Sequence, residues 1–344
     1  MLMLAAIETT TGSGAWLGRL IGLGLVLLAA FLAVLYCTRM PGRSYAGPLD
    51  PLTEHEQALR AELREHVGVL AGKIGERNLI RVRALRAAAD YLRTSLAGMG
   101  YDVREQAFRV EGEEVRNLEV EVKGSARPEE IVLIGAHYDS VIGAPGANDN
   151  ASGVAALVAL ARWARERQFA RTVRFVAFVN EEPPFFQSKA MGSRVYAREA
   201  KTRGEKIVAM LSLETIGCYT DAKGSQSYPV PFSFLYPKTG NFIAFVGNVG
   251  SRDLVHRVIS IFRETTKFPS EGAAAPGWIP GIGWSDQWSF WQEGYSGVMV
   301  TDTALFRYAE YHTERDLPEM LDYGRMARVV AGLEHVVEAL TREE

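Results

Sequence analysis

The stretch from Ile131 to Gly153 contains a buried strand, two candidate metal ligands and the beginning of a helix. Residues 131–134 are a run of β-branched residues and leucine, typical of a strand covered on both faces in the parallel part of an α/β sheet. His137 and Asp139 follow at the expected end of that strand, the usual place for ligands in an open α/β sheet. After Asp149, an Ala-rich apolar periodicity predicts a helix that packs back on the sheet, so Asp149 should lie beside His137.

A histidine and an aspartate two residues apart have a specific use at metal sites, because a carboxylate can orient the imidazole of His137 through its second N–H. The pair His137 and Asp139 alone is more often structural. A second apolar run, 172–179, ends at Glu181 and Glu182, and adjacent carboxylates repel unless a cation or a shared proton compensates. A solvated loop is the alternative, but the following Pro-Pro-Phe-Phe segment, 183–186, is stiff and apolar.

Two further predicted strands each bring another candidate ligand. The apolar run 206–217 is interrupted by Glu214, a charge that is rarely buried without a partner. The run 298–301 precedes Tyr311 and His312. Imidazole and carboxylate groups without cysteine suit zinc, with cobalt and manganese as alternatives.

An ordered set of motifs now carries a family resemblance: HYD at 137–139, GANDNASG at 146–153, NEE at 180–182, SLETIG at 212–217, SDQ at 285–287 and YHT at 311–313. The set resembles family 28 of the zinc metallopeptidases, the cocatalytic two-zinc aminopeptidases, over roughly residues 52–340. The resemblance implies an α/β fold with a mixed, mostly parallel central sheet and helices on both faces, here preceded by an N-terminal apolar helix. It also implies a peptide substrate with a free N-terminus.

The resemblance implies a role for each site residue. Asp149 would bridge two Zn²⁺ ions, with one site completed by His137 and Glu214 and the other by Glu182 and His312. The resemblance also implies that Glu181 is the general base and that Asp139 is the partner of His137. Tyr311 is a candidate oxyanion donor because it adjoins a ligand, and the alternative is that it packs under the site.

The sequence departs from the family pattern at two positions. Many members have aspartate where this chain has Glu214, and SDH where it has Ser285-Asp286-Gln287. A glutamate carboxylate lies about 1.5 Å further from the backbone than that of aspartate. We therefore expect either an outward displacement of the 212–217 strand or a weakly held zinc at His137, Asp149 and Glu214.

Composition excludes several other classes of protein. The 344 residues, 47% apolar and 23% charged, are typical of one large or two small globular domains. A formal net charge of −3 provides no basic footprint for nucleic acid. The only cysteines, Cys37 and Cys218, exclude a disulfide framework.

The N-terminal region predicts a membrane segment. We expect a tail over 1–15, a membrane anchor or signal-anchor helix over 16–38, a linker over 39–51 and a catalytic domain over 52–344. A cleaved signal peptide is the alternative, but no small-x-small cleavage site follows the apolar run. Arg39 and Arg43 outnumber Arg19, which favours a cytoplasmic catalytic domain, whereas the family resemblance favours an extracytoplasmic one.

The remaining patterns predict the surrounding elements. Thr53-x-x-Glu56 is a capping-box signature that opens a helix to about Leu70. Further helices are predicted over 80–97, 251–266 and 321–340, exposed antiparallel edge strands over 101–110 and 114–123, and a strand over 241–248. Residues 218–240 are predicted to form an active-site wall. The aromatic residues predicted to line a substrate pocket, with core packing as the alternative, are Phe232, Trp278, Trp284, Trp288 and Trp291.

The leading functional hypothesis is an aminopeptidase that uses two zinc ions. A glutaminyl-cyclase-like acyltransferase with one zinc is the alternative within catalysis, and the presence of both His137 and His312 favours two metals. A non-catalytic membrane receptor on a peptidase scaffold is the alternative from another class. Such a receptor is expected to have lost ligands or the base, whereas Glu181 and all five ligand positions carry competent groups here.

Overall fold

The computed structural model describes residues 12–230 and 232–342. The chain divides into two compact units, residues 1–39 and 40–344. In the first unit, helix α1 spans Gly12–Thr38 and so begins earlier than the predicted segment 16–38. Of the predicted tail over 1–15, residues 1–11 lie outside the described part of the chain.

Helix α1 is long and apolar enough to cross a membrane over Gly18–Thr38, and it is the one such helix among the described residues. Its large apolar side chains, including Leu25, Val26 and Phe31, are exposed. A signal sequence near an N-terminus has the same length and composition.

The second unit is built around one eight-stranded sheet in the order β1-β2-β4-β3-β5-β8-β6-β7. The strands are β1 (Arg104–Val110), β2 (Glu113–Val122), β3 (Arg127–His137), β4 (Arg171–Phe178), β5 (Lys206–Glu214), β6 (Ile243–Gly247), β7 (Ser270–Ala274) and β8 (Gly297–Thr301). The pairs β3/β4, β3/β5, β5/β8 and β6/β7 are parallel, and the other three pairs are antiparallel. The predicted mixed, mostly parallel sheet is confirmed.

Helices cover both faces of this sheet. They are α2 (Glu54–Val67), α3 (Val82–Gly98), α4 (Gly153–Arg165), α5 (Gly192–Thr202), α6 (Arg252–Thr265), α7 (Gln287–Trp291) and α8 (Tyr323–Thr341). Strand β3 shows why two layers are needed, because its apolar residues alternate between faces. Val132 and Ile134 belong to the larger core with α4 and α8, whereas Leu133 belongs to the smaller core with Tyr196 and Phe290.

The capping box at the start of α2 is formed as predicted. The Glu56 backbone N–H donates to Thr53 Oγ1 at 3.1 Å, and the Thr53 N–H donates to Glu56 Oε2 at 2.8 Å. The box satisfies two N–H groups that lack helical partners and sets the beginning of the helix. Beyond Val67 the chain continues as a π-helical turn, Gly68–Ile74.

One local prediction needs correction, and two elements were not predicted. Only β1 is an exposed edge strand, because β2 pairs with β4 as well, and its residues Leu118 and Val120 are buried. Strand β7 and helix α7 were not predicted. The first is a glycine- and alanine-rich edge strand and the second is a short helix, so neither has a clear period.

Candidate metal centre

The candidate ligands lie at the carboxyl ends of neighbouring parallel strands. His137 is the last residue of β3, Glu214 is the last residue of β5, and Glu181 and Glu182 follow β4. Because β3 lies between β4 and β5 in the sheet, the three strand ends meet at one edge. The backbone of Asn180, immediately before the two glutamates, has a φ of 58°. This left-handed conformation turns the chain sharply after β4.

Asp149 reaches the same edge through the loop after β3. Gly146 has a φ of 64°, and a Cβ atom there would lie 2.3 Å from the Asp149 carbonyl oxygen. At Gly153, the first residue of α4, a Cβ would lie 2.4 Å from the carbonyl oxygen of Leu213 in β5. Only glycine permits this close packing of the loop, the helix and the strand, which brings Asp149 to His137.

Two groups of three side chains meet here, and they share Asp149. The first group is His137, Asp149 and Glu214, and the second is Asp149, Glu182 and His312, with the ligand atoms of each group within 4.8 Å of one another. The structure thus brings together all five residues predicted as metal ligands.

In the first group, His137 Nε2 lies 3.3 Å from Asp149 Oδ1 and 3.2 Å from Glu214 Oε2. In the second, His312 Nε2 lies 3.0 Å from Asp149 Oδ2 and 3.4 Å from Glu182 Oε2. The two oxygens of Asp149 therefore face different histidines, the arrangement that a bridging carboxylate requires.

The donor atoms of both groups fit a metal ion. Within these two groups, four buried side-chain atoms have no hydrogen-bond partner among the described residues: both ring nitrogens of His137, Asp149 Oδ1 and Glu182 Oε1. Buried polar groups without partners are rare, and these belong to imidazole and carboxylate groups, which are zinc ligands.

The electrostatics point to the same need for a cation. Burial raises the pKa of Glu182 well above its usual value, and the neighbouring carboxylates Asp149 and Glu181 raise it further. Burial would lower the pKa of His137, but Glu214 and Glu181 outweigh it and raise this pKa well above its usual value. The buried cluster thus contains more carboxylate charge than its histidines can balance, which a bound cation would compensate.

Asp139 connects the end of β3 to the two glutamates. Its carboxylate accepts the backbone N–H groups of Glu181 and Glu182, each at 3.1 Å. Its Oδ1 lies 3.5 Å from His137 Nδ1, longer than a normal hydrogen bond. Asp139 therefore positions the loop that carries Glu181 and Glu182, and it also faces His137 as predicted.

Glu181 lies beside the first group without belonging to it. Its Oε2 is 3.8 Å from His137 Nε2. Burial raises the pKa of Glu181 well above its usual value, although His137 opposes the shift. A raised pKa suits a carboxylate that must accept and then release a proton near neutral pH.

Tyr311 stacks on the imidazole of His312, with ring centroids 3.8 Å apart. No residue that the structure describes is a hydrogen-bond partner of its hydroxyl, and the side chain lines the adjoining cavity. His312 itself has a φ of 60°, and its side chain is 31% exposed. The stack restrains the ring of a histidine whose backbone is strained.

Sequence reasoning missed Asp316, which fixes the loop of Asp149 from the opposite side. Its carboxylate accepts the backbone N–H groups of Asn148 and Asp149 at 2.8 and 3.1 Å, and the Tyr308 hydroxyl donates to it at 3.0 Å. The available signal was its position shortly after His312 on the same loop.

Arg77 was also missed, and it is fully buried. Its guanidinium donates to carbonyl oxygens on both sides of the site loop, at 2.6 Å to Tyr138 and 2.8 Å to Gly146, and also to that of Pro145. Burial lowers the pKa of Arg77 to about 10, against the effect of nearby carboxylates such as Asp139. The Arg77 guanidinium thus fixes the loop that lies between two candidate ligands, His137 and Asp149.

Comparison with known proteins now identifies the family. Residues 117–337 match peptidase family M28. The chain belongs to peptidase family M28. This M28 peptidase is 36% identical over 281 residues to the uncharacterized protein YfbL of Escherichia coli K12, a match that covers 79% of this chain and 85% of YfbL. The family predicted from the motifs is confirmed. The prediction that the chain is a zinc-dependent hydrolase of peptide bonds is confirmed with it.

Two solved structures show the same fold. The zinc aminopeptidase BSAP from Bacillus subtilis has a TM-score of 0.67 at 14% identity, covering 83% of this chain and 95% of BSAP. The glutaminyl cyclase of Bacteroides thetaiotaomicron bound to N-acetylhistamine has a TM-score of 0.63 at 17% identity, covering 81% of this chain and 97% of the cyclase. At such low identities the likeness concerns the fold.

The M28 peptidase has a cleft beside the candidate metal centre, extending from Glu214 and Tyr311 over β8, β6 and β7. The predicted wall 218–240 contributes to it, because Tyr228, Phe232 and Tyr236 line the cleft. The aromatic prediction is partly wrong. Phe232 and Trp284 line the cleft, but Trp278 is 83% exposed, and Trp288 and Trp291 do not line it. Trp291 instead donates its indole N–H to the Gly297 carbonyl.

Proposed function

We propose that this M28 peptidase is an aminopeptidase that removes N-terminal residues from peptides and that it uses two zinc ions. The observation that carries the proposal is the pair of ligand groups sharing Asp149, beside Glu181 and next to a cleft that Glu214 and Tyr311 line. His137, Asp149 and Glu214 would hold one ion, and Asp149, Glu182 and His312 the other.

Bound zinc would supply Lewis acidity, which polarises the scissile carbonyl and eases the deprotonation of water. Glu181 would do the proton transfer. Its carboxylate accepts a proton from the attacking water and releases it to the nitrogen of the leaving peptide. Its burial and its position beside the first group, with Oε2 3.8 Å from His137 Nε2, support this role.

The supporting residues would act through position. Asp139 holds the backbone of Glu181, so the base stays aimed at the centre. Tyr311 would donate its hydroxyl to the oxygen on which negative charge develops.

The experiment is Glu181→Gln in the zinc-loaded protein, assayed with aminoacyl p-nitroanilides. We expect a fall in kcat of about 10² to 10⁴, the usual contribution of a general base, with metal content unchanged by elemental analysis. Glu129→Gln, an exposed acid on β3, is the matched control. Full activity in Glu181→Gln would refute the mechanism.

A second candidate function is the glutaminyl-cyclase-like acyltransferase with one zinc, favoured by the fold shared with the Bacteroides cyclase. Metal counting separates the two. One bound zinc together with pyroglutamate formation from an N-terminal glutamine would replace the aminopeptidase proposal. A non-catalytic receptor would show no hydrolysis on a broad peptide panel when fully loaded with zinc.

We further propose that α1 anchors the chain in a membrane, with residues 52–344 as the catalytic domain on the extracytoplasmic side. The length and apolar composition of Gly18–Thr38 support the anchor. Protease accessibility of the catalytic domain in cells stripped of any outer membrane tests the orientation. Cleavage of the domain only after lysis would place it in the cytoplasm, and its release as a soluble form would favour a signal peptide.

A further inference from the structure

The floor of the cleft contains a row of four residues that runs across the sheet. Glu214 in β5 pairs with Thr301 in β8, Thr301 pairs with Ala244 in β6, and Ala244 pairs with Glu271 in β7. All four line the cleft. Because register partners project to the same face of a sheet, the row leads from a candidate metal ligand to a second carboxylate.

The carboxylates of the cleft lie at the two ends of this row. Between Glu214 and Glu271, the described lining is mostly apolar and aromatic, with no lysine, arginine or histidine. Glu271 is the one carboxylate of the described lining besides Glu214. An acid at the far end of an apolar passage marks a place where a cationic group can be recognised.

Arg263 and Ser44 lie beside Glu271, but the Glu271 carboxylate can still pair with a cation in the cleft. Arg263 Nη2 is 3.7 Å from Glu271 Oε2, longer than a charge-assisted hydrogen bond. The Arg263 guanidinium instead donates to the Ser270 carbonyl at 2.7 Å and to the Pro41 carbonyl at 2.8 Å. Burial raises the pKa of Glu271, against Arg263 and a hydrogen bond with Ser44. A cation in the cleft would stabilise its ionised form.

We propose that the cleft binds the side chain of the substrate's N-terminal residue and that Glu271 selects lysine or arginine there. The inference rests on the proposed aminopeptidase function. The aliphatic stem would lie over Thr301 and Ala244, and the cationic end would pair with Glu271.

The dimensions of the row agree with this assignment. Three strand spacings separate the backbones of Glu214 and Glu271, roughly 14 Å. An arginine side chain reaches roughly 7 Å at ordinary bond lengths, and an ion pair adds about 3 Å along the row. A substrate whose α-carbon lies about one strand spacing along the row, over Thr301, therefore brings its cationic end to Glu271. A leucine side chain is too short to reach Glu271.

The experiment compares lysyl, arginyl and norleucyl p-nitroanilides on the full zinc-loaded chain. Norleucine has the stem of lysine without its charge, so the ratio of kcat/KM for lysine over norleucine isolates the charged contact. We expect a ratio of at least about ten in the wild type and a fall of about tenfold or more in Glu271→Gln. Glu129→Gln is the control for loss of an acid and should keep the wild-type ratio. A general loss of folding or metal cancels from the ratio.

A binding measurement separates this inference from the proposed function. Calorimetry with L-argininamide and L-norleucinamide should show tighter binding of the cationic ligand, lost in Glu271→Gln. Hydrolysis of all substrates without preference for lysine or arginine would overturn the role of Glu271 and leave the aminopeptidase intact. Glu271-dependent binding of argininamide without any hydrolysis would overturn the aminopeptidase and retain the cation site. Absence of both would overturn both.

Discussion

The Ser285 hydroxyl donates a hydrogen bond of 2.7 Å to Glu214 Oε2. The same oxygen lies 3.2 Å from His137 Nε2, so the longer carboxylate is held between a fixed donor and its neighbour in the ligand group. Ser285 lies in the segment Ser285-Asp286-Gln287, which departs from the family pattern. Its hydrogen bond fixes the rotamer of Glu214, which stands where many members have aspartate.

From this contact we predict unequal binding of the two metals. The zinc at His137, Asp149 and Glu214 should leave first on mild chelation, because the lengthened carboxylate depends on Ser285 for its position. Ser285→Ala should weaken that site by about tenfold, the usual effect of removing a group that orients a ligand. Chelator titration with metal analysis measures both effects, and Ser289→Ala, another buried hydroxyl, is the control. Simultaneous loss of both metals in every protein would contradict this.

Tyr311 should contribute to turnover through its hydroxyl. Tyr311→Phe keeps the ring that stacks on His312 and removes the hydroxyl proposed to donate to the oxyanion, so kcat should fall about 10² with little change in KM. Tyr295→Phe, whose hydroxyl bonds the Glu205 carbonyl away from the centre, serves as the control. Unchanged steady-state kinetics in Tyr311→Phe would leave the residue with a packing role alone.

Arg77 should be among the most destabilising positions to change. Arg77→Met leaves the carbonyl groups of Tyr138 and Gly146 buried without their donor, which costs about 1 to 3 kcal/mol each. We expect a loss of at least about 3 kcal/mol in the free energy of unfolding, measured by urea denaturation. Arg81→Met removes an exposed pair with Glu76 and should cost at most about 1 kcal/mol. Similar losses in the two variants would show that the Arg77 contacts are weak.

Glu62 should make stability depend on pH in the acid range. Burial tends to raise the pKa of Glu62, but the His66 imidazole, with Nε2 3.9 Å from Glu62 Oε1, and a hydrogen bond from Arg162 outweigh it and lower the pKa to about 2. A lowered folded-state pKa means that the stabilisation is complete above the unfolded value of 4.5 and is lost as the pH falls through about 2.

The variant Glu62→Gln tests this dependence. The difference in unfolding free energy between wild type and variant should be at most about 1 kcal/mol above pH 4.5, because the Arg162 side chain is 48% exposed, and should shrink toward pH 2. Urea unfolding in the presence of a chelator removes the contribution of metal binding. Glu65→Gln on the same helix controls for the loss of an acid. A difference that is constant with pH would exclude the proposed ionic contribution of Glu62.

The sequence was sufficient for the elements with strong local signals. The buried run before His137 and the capping box at Thr53 predicted a strand and a helix boundary that the structure contains, because each depends on neighbouring residues alone. Edge strand β7 was missed since an alanine- and glycine-rich segment has no such local signal. Pairing between β2 and β4 could not be read from β2 itself.

The sequence by itself determined which chemical groups stand at the ends of the strands and in the loop after β3, and hence the candidate ligands. Only the tertiary structure decided how these groups meet. The two oxygens of Asp149 face His137 and His312, residues far apart in the chain, because the order of the strands and the loop held by Arg77 and Asp316 bring them to one edge. The row that joins Glu214 to Glu271 depends on register across four strands, and strand register is a property of the assembled sheet.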